Sequence, residues 1–193
     1  MSADEEPSPP YYAFRSKVVG APSEFMLGED AIEWRRGAQS GRVPYRDVRK
    51  VRLGFRPVTL QNYRFLTEIW SNSGPKLAFA STSWRGLVEQ ERHDAAYAAF
   101  VAELHRRLAQ AGGDVQYRCG SPVLLYWPGV AIFVGLCIGV IMLAGHAVET
   151  QAWVGFAIAA AMLAFFLYQT GVFFWRNQPG SYTPDALPPR VTP

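Results

Sequence analysis

The chain has 193 residues, of which 49% are hydrophobic and 18% charged, for a formal net charge of +3. Those averages describe an ordinary soluble domain, but the placement of the charges excludes one: between Arg118 and Arg176 the only Asp, Glu, Lys or Arg is Glu149. The two cysteines, Cys119 and Cys137, lie about five turns apart on a straight helix and belong to no CxxC or His/Cys cluster, which excludes an intrachain disulfide and a structural zinc.

Residues 1–10 are proline-rich and acidic through Asp4, Glu5 and Glu6, with no apolar core, so they are expected to be disordered and not a signal peptide. A cytoplasmic domain is expected over 11–118. Glu24–Leu27 and Ala31–Arg35 flank a Gly28-Glu29-Asp30 turn and predict a hairpin. Val51, Leu53 and Phe55 alternate with Arg52, Gly54 and Arg56, and Tyr63, Phe65, Thr67 and Ile69 alternate with Arg64, Leu66 and Glu68. Asn72-Ser73-Gly74-Pro75 is a turn before a further strand in Lys76–Ser81. Five or six strands are expected in an antiparallel sheet, because these connections are too short for crossover helices. The period then changes. Tyr97, Phe100, Val101, Leu104 and Leu108 fall at helical spacing and predict one amphipathic helix over about 94–111, ended by Gly112-Gly113.

Two apolar runs follow, 123–145 and 152–175, each long enough to cross a ~30 Å hydrocarbon core at 1.5 Å per residue. They predict a transmembrane hairpin with an external turn at 146–151. Arg106, Arg107 and Arg118 precede the first span, Arg176 and Arg190 follow the second, and the turn carries no Lys or Arg. Basic loops stay inside, so the expected location is the cytoplasmic (inner) membrane, multi-pass, with both termini cytoplasmic. Residues 176–193 are expected to be a disordered tail. Small residues at four-residue spacing, Gly135 and Gly139 in the first span and Gly155 and Ala159 in the second, are expected to pack the hairpin on itself, the alternative being a dimerisation face.

The most suggestive feature of the soluble part is basic. Arg42, Arg46, Arg49, Lys50, Arg52 and Arg56 lie within 15 residues, with Asp47 the one acid among them. Strand alternation puts Lys50, Arg52 and Arg56 on one face, and Arg46, Arg49, Lys50, Arg52 and Arg56 are the candidate lipid-facing residues, since anionic headgroups attract such a patch. The plainer reading is a solvated strand face paired with acids such as Glu33 or Glu68. The three histidines are scattered, and HExxH, GxSxG, Walker A and GxGxxG are absent, so no catalytic residue, cofactor or metal is expected and the chain is not read as an enzyme. Nucleic acid is not an expected partner, because no recognition helix or stacking motif accompanies the charge.

The stretch Pro44-Tyr45-Arg46-Asp47-Val48-Arg49-Lys50-Val51 before an alternating strand, together with several strands and a single closing helix, resembles the bacterial pleckstrin-homology-like domain over about Ser23 to Gly112. The layout is similar to that of alphaproteobacterial membrane proteins. The resemblance implies an α+β fold, a small antiparallel sheet or barrel closed by one C-terminal amphipathic helix and followed by a two-helix transmembrane hairpin. The expected function is a membrane-anchored interaction module contacting anionic lipid at the inner leaflet. The alternative is a scaffold or accessory subunit that holds a protein partner or a second copy of the chain.

Overall fold

The computed structural model describes residues 10–15, 21–57, 63–85 and 90–193; the expectation for 1–9 lies outside the described residues. The strands in chain order are β1 (Tyr11–Phe14), β2 (Ser23–Leu27), β3 (Ala31–Arg36), β4 (Gln39–Pro44), β5 (Val48–Pro57), β6 (Tyr63–Ser71), β7 (Leu77–Ala80), β8 (Thr82–Trp84), β9 (Gln90–Arg92), β10 (Gln116–Cys119) and β11 (Gly180–Ser181). The helices are α1 (Asp94–Gln110), α2 (Val123–Glu149) and α3 (Trp153–Arg176). The fold is α+β, a β-rich part followed by two long apolar helices.

The described strands make three sheets, in the orders β1-β2-β3-β4, β11-β10-β5-β6-β7 and β8-β9, and no closed barrel forms among them. The sheets separate where a 3-10 turn, Tyr45–Asp47, carries the chain from β4 into β5. The β2–β3 hairpin forms with Leu27 opposite Ile32. Pairing is antiparallel except between β10 and β5, which run parallel. The antiparallel expectation rested on short connections. The chain instead passes through β6 to β9 and the whole of α1 before returning beside β5, which supplies the long crossover a parallel pair needs.

The core lies between the two larger sheets and α1. Tyr97, Phe100, Val101, Leu104 and Leu108 of α1 are buried. Tyr12 of the first sheet packs on Tyr97 and Phe100, and Phe65 and Phe79 of the second pack on Tyr97. The buried hydroxyls are satisfied, Tyr12 donating to the Ala80 carbonyl at 2.6 Å and Tyr97 pairing with Thr67 at 2.7 Å, so hydrogen bonds offset the desolvation of the cluster's polar tips.

Both α2 and α3 are long and apolar enough to cross a membrane, and 6% of the most apolar window of each is buried. A core helix of a soluble protein would hide that surface. Along α2 the better-buried positions are Tyr126, Val130, Phe133, Cys137, Val140, Ala144 and Ala147, alternating in steps of four and three, the seam of a left-handed pair. On α3 Ala159 is buried at this seam, whereas Gly155 is exposed, and a Cβ built on it would lie 3.7 Å from that of Ala147, in ordinary contact. Gly135 and Gly139 do not sit at the seam. Both are exposed and a Cβ on either would meet nothing within 4 Å, which corrects their assignment to hairpin packing. They lie out of phase with the seam, and Gly129 is the α2 glycine that faces α3 instead, since a Cβ on it would fall 3.4 Å from the Phe174 ring. The helix also outruns the apolar stretch, ending at Glu149 and leaving Thr150 to Ala152 as the turn.

The tail expected to be disordered is ordered over 177–193. β11 pairs with β10, Tyr182 packs on His105 and Tyr117, and Val191 is fully buried. Its own apolar content is too small to offset ordering entropy, but it adds to an edge and a pocket that the domain has already built.

Candidate basic site at the helix entrance

Alternation on β5 sends Val51, Leu53 and Phe55 into the core and Lys50, Arg52, Gly54 and Arg56 outward. A register irregularity between Val48 and Lys50 lets Val48 also turn inward. Arg49 sits at that irregularity, and its Nε and Nη2 donate to the Asn72 side-chain oxygen at 2.8 and 3.0 Å, with the amide oriented by these bonds. Arg46 is exposed on the 3-10 turn beside Gly113. At about 3.3 Å per residue it lies roughly 30 Å from Arg56. The five candidate lipid-facing residues are therefore not one patch: Lys50, Arg52 and Arg56 share a face, and Arg46 and Arg49 stand at its far end.

Neighbouring strands extend the face. β10 lays Gln116 beside Lys50 and Arg118 beside Arg52, while β6 lays Trp70, Glu68, Leu66 and Arg64 opposite Lys50, Arg52, Gly54 and Arg56. At the centre Arg52 donates through Nε to Glu68 at 2.8 Å, and Lys76 also bonds that carboxylate. Burial alone would raise the Glu68 carboxyl, but the bonds from Lys76 and Arg52 outweigh it and hold the group below the usual carboxylate range. Lys50, Arg52 and Lys76 also surround the Trp70 ring at 4.9, 5.0 and 4.6 Å from its centroid. The paired reading thus holds for Arg52, through Glu68. Glu33 plays no such part for β5; it faces Arg42 across β3–β4, and Arg42 pairs with Asp30.

Two clefts open where this face meets the first residues of α2 and the last of α3. One, of about 340 Å³, is lined by Lys50, Arg52, Arg118, Pro122 and Leu124 among others. The second, of about 310 Å³, has Gly54, Arg56, Leu66, Pro122 and Phe173 among its walls. The segment between them is held by hydrogen bonds. Gly120 donates to the Leu53 carbonyl at 2.8 Å, Ser121 to the Asn177 carbonyl at 2.9 Å, and Phe55 to Asn177 Oδ1 at 3.2 Å. Gly120 has φ +77°, and a Cβ there would fall against the carbonyls of Asn177 and Gln178, so only glycine fits.

Comparison with protein-family models, curated proteins and solved structures finds no match. The functional reading therefore rests on the geometry. A cationic face with apolar cleft walls has the means to bind an amphiphilic anion. Among the described residues no group of three or more His, Cys, Asp or Glu gathers to hold a metal. Sequence reasoning missed Arg118, Arg64, Lys76 and Trp70 as members of the face. Arg64 was visible through its alternation with Phe65, but Arg118 joins only through a pairing across 66 residues of chain, for which no local signal exists.

Proposed function

We propose that the chain is a two-span protein of the cytoplasmic membrane with both termini cytoplasmic, and that its domain, of the bacterial pleckstrin-homology-like class, is an interaction module contacting anionic headgroups of the inner leaflet. The observation that carries this reading is the position of Arg118. It lies abreast of Arg52 in the β10–β5 ladder, and α2 begins five residues later at Val123. A helix entering the bilayer at Val123 brings Lys50, Arg52, Arg56 and Arg118 to headgroup level, within a Debye length of ~8 Å. Each such cation gains ~1 kcal/mol near an anionic leaflet. The shared cleft of Lys50, Arg118 and Leu124 suits a lipid whose headgroup meets the cations while its chains lie along α2.

The test uses the full chain, because β11, Tyr182 and Val191 complete the domain from beyond α3. The protein is extracted in mild detergent from vesicles containing equal phosphatidylcholine and phosphatidylglycerol, and the retained lipid is quantified. Phosphatidylglycerol should be retained preferentially at low salt, and the preference should fall with added salt and in a Lys50→Gln/Arg56→Gln/Arg118→Gln variant. Equal retention of both lipids at low salt would sink the reading.

A second reading, a scaffold for a protein partner or a second copy, is favoured by one feature. A groove of about 490 Å³ at the first sheet is lined by Tyr11, Met26, Trp34, Arg35 and Arg42, and Trp34, half-buried against the core opposite Phe25, has an indole N–H with no acceptor among the described residues. Under this reading a stoichiometric partner copurifies in mild detergent and is lost on Trp34→Ala.

A further inference from the structure

We propose that Arg56 and Arg64 form a seat for a phosphate group, occupied by the phosphate of a membrane lipid. The inference rests on the proposed contact with anionic headgroups and names the residues and the chemistry of that contact.

Arg56 and Arg64 are directly opposite each other in the antiparallel β5–β6 ladder, both on the outer face. Like charges in that position repel. Among the described residues no carboxylate pairs with either, whereas Arg52, one pair along on the same face beyond Gly54, has Glu68. The connection between the two strands, residues 58–62, is Val-Thr-Leu-Gln-Asn and contains no acid. Arg64 is half-buried, and among the described residues its buried Nε has no acceptor, a donor left unmade at the cost of its full desolvation. Burial, then the charge of Arg56, lower the Arg64 guanidinium from its ordinary value.

The space for that anion is beside the pair. Gly54, opposite Leu66, contributes no side chain, and a Cβ there would meet nothing within 4 Å. The cleft over it is lined by Arg56 and by the paired Arg52 and Glu68, with Leu66, Pro122 and Phe173 as apolar walls toward the helix ends; Arg64 stands at its margin, opposite Arg56 in the ladder. Two guanidinium forks on facing residues can each take one of the two non-bridging oxygens of a phosphodiester, and the apolar walls suit the glycerol and first methylenes.

The experiment purifies the full chain in a phosphate-free maltoside detergent, with and without added phosphatidylglycerol, and reads lipid retention and the apparent Tm of wild type, Arg64→Gln, Arg64→Lys and Arg118→Gln. In detergent alone Arg64→Gln should melt above wild type, because the repulsion is gone. With phosphatidylglycerol the wild type should gain stability, Arg64→Gln should gain less, and its retention of the lipid should fall roughly tenfold, the loss of about one charge-assisted contact. Arg64→Lys, with charge but no fork, should recover part of the retention. If Arg64→Gln melts below wild type in detergent alone, or retains phosphatidylglycerol fully while Arg118→Gln does not, the seat is overturned and the broader lipid contact stands. If wild type retains no more phosphatidylglycerol than phosphatidylcholine offered in its place, the broader contact falls as well. Inorganic phosphate added to the detergent solution separates the sources: stabilisation of wild type but not Arg64→Gln by phosphate, with no stabilisation by phosphatidylglycerol, keeps the seat and overturns the lipid as its occupant.

Discussion

The Tyr182 hydroxyl donates to His105 Nε2 at 2.8 Å across 77 residues of chain. The direction follows from the other ring nitrogen. Nδ1 lies 2.7 Å from the Val101 carbonyl, which only accepts, so Nδ1 carries the proton and Nε2 receives. The neutral ring is thereby built into the joint between α1 and the tail.

A pH dependence follows for this joint. Burial, opposed by the Val101 bond, pushes His105 down to about 4, below an unfolded value near 6.5. Between those values the unfolded chain binds more protons, so the stabilisation is full above about pH 6.5 and is lost as pH falls toward 4, by on the order of 3 kcal/mol. The apparent Tm of the full chain in detergent should fall across that window, and His105→Leu should flatten the fall. An unchanged slope in the variant would refute the assignment.

The tail should behave as part of the domain. Val191→Ala is expected to cost about 2 kcal/mol, as for a buried aliphatic truncation. Truncation after Asn177 removes β11, Tyr182 and Val191 together and should cost more. Hydrogen exchange in β10 reads this directly: its amides should exchange faster in the truncated chain, and unchanged protection would mean that the tail does not hold the edge.

Glu68 should matter more than any single cation around it. Glu68→Gln leaves Arg52, with a side chain 17% exposed, without its carboxylate and should cost about 2 kcal/mol, whereas removing the more exposed Lys76 should cost under about 1. Because its folded pKa is depressed, the Glu68 contribution is present above about pH 4.3 and is lost as pH falls through the folded value, a window below that of His105. Apparent Tm below pH 4.3 should drop less steeply in Glu68→Gln than in wild type.

The two small-residue pairs should separate cleanly. Leu at Gly155, which faces Ala147, should overpack the α2–α3 seam and lower hairpin stability by about 1–3 kcal/mol. Leu at Gly135 enters open space and should leave it unchanged. Thermal melting of both variants in detergent is the comparison, and equal losses would contradict the seam.

By itself the sequence determined what local pattern can carry. The two apolar helices are written as long uncharged runs, α1 as a stripe from Tyr97 to Leu108, and the β2–β3 hairpin and the inward side of β5 as alternation around Gly28-Glu29-Asp30 and along Val51, Leu53 and Phe55. Each is a one-dimensional periodicity in burial, readable without a neighbour. Tertiary structure decided everything that depends on which element lies beside which. The irregularity that sets Arg49 apart, the parallel return of β10 that brings Arg118 to Arg52, the facing of Arg56 and Arg64, the phase that leaves Gly135 and Gly139 outside the seam, and the docking of 177–193 are all of this kind. Like the pairing of β10 with β5, they are settled by contacts between segments far apart in the chain, whose energies exist only once the core has assembled around them.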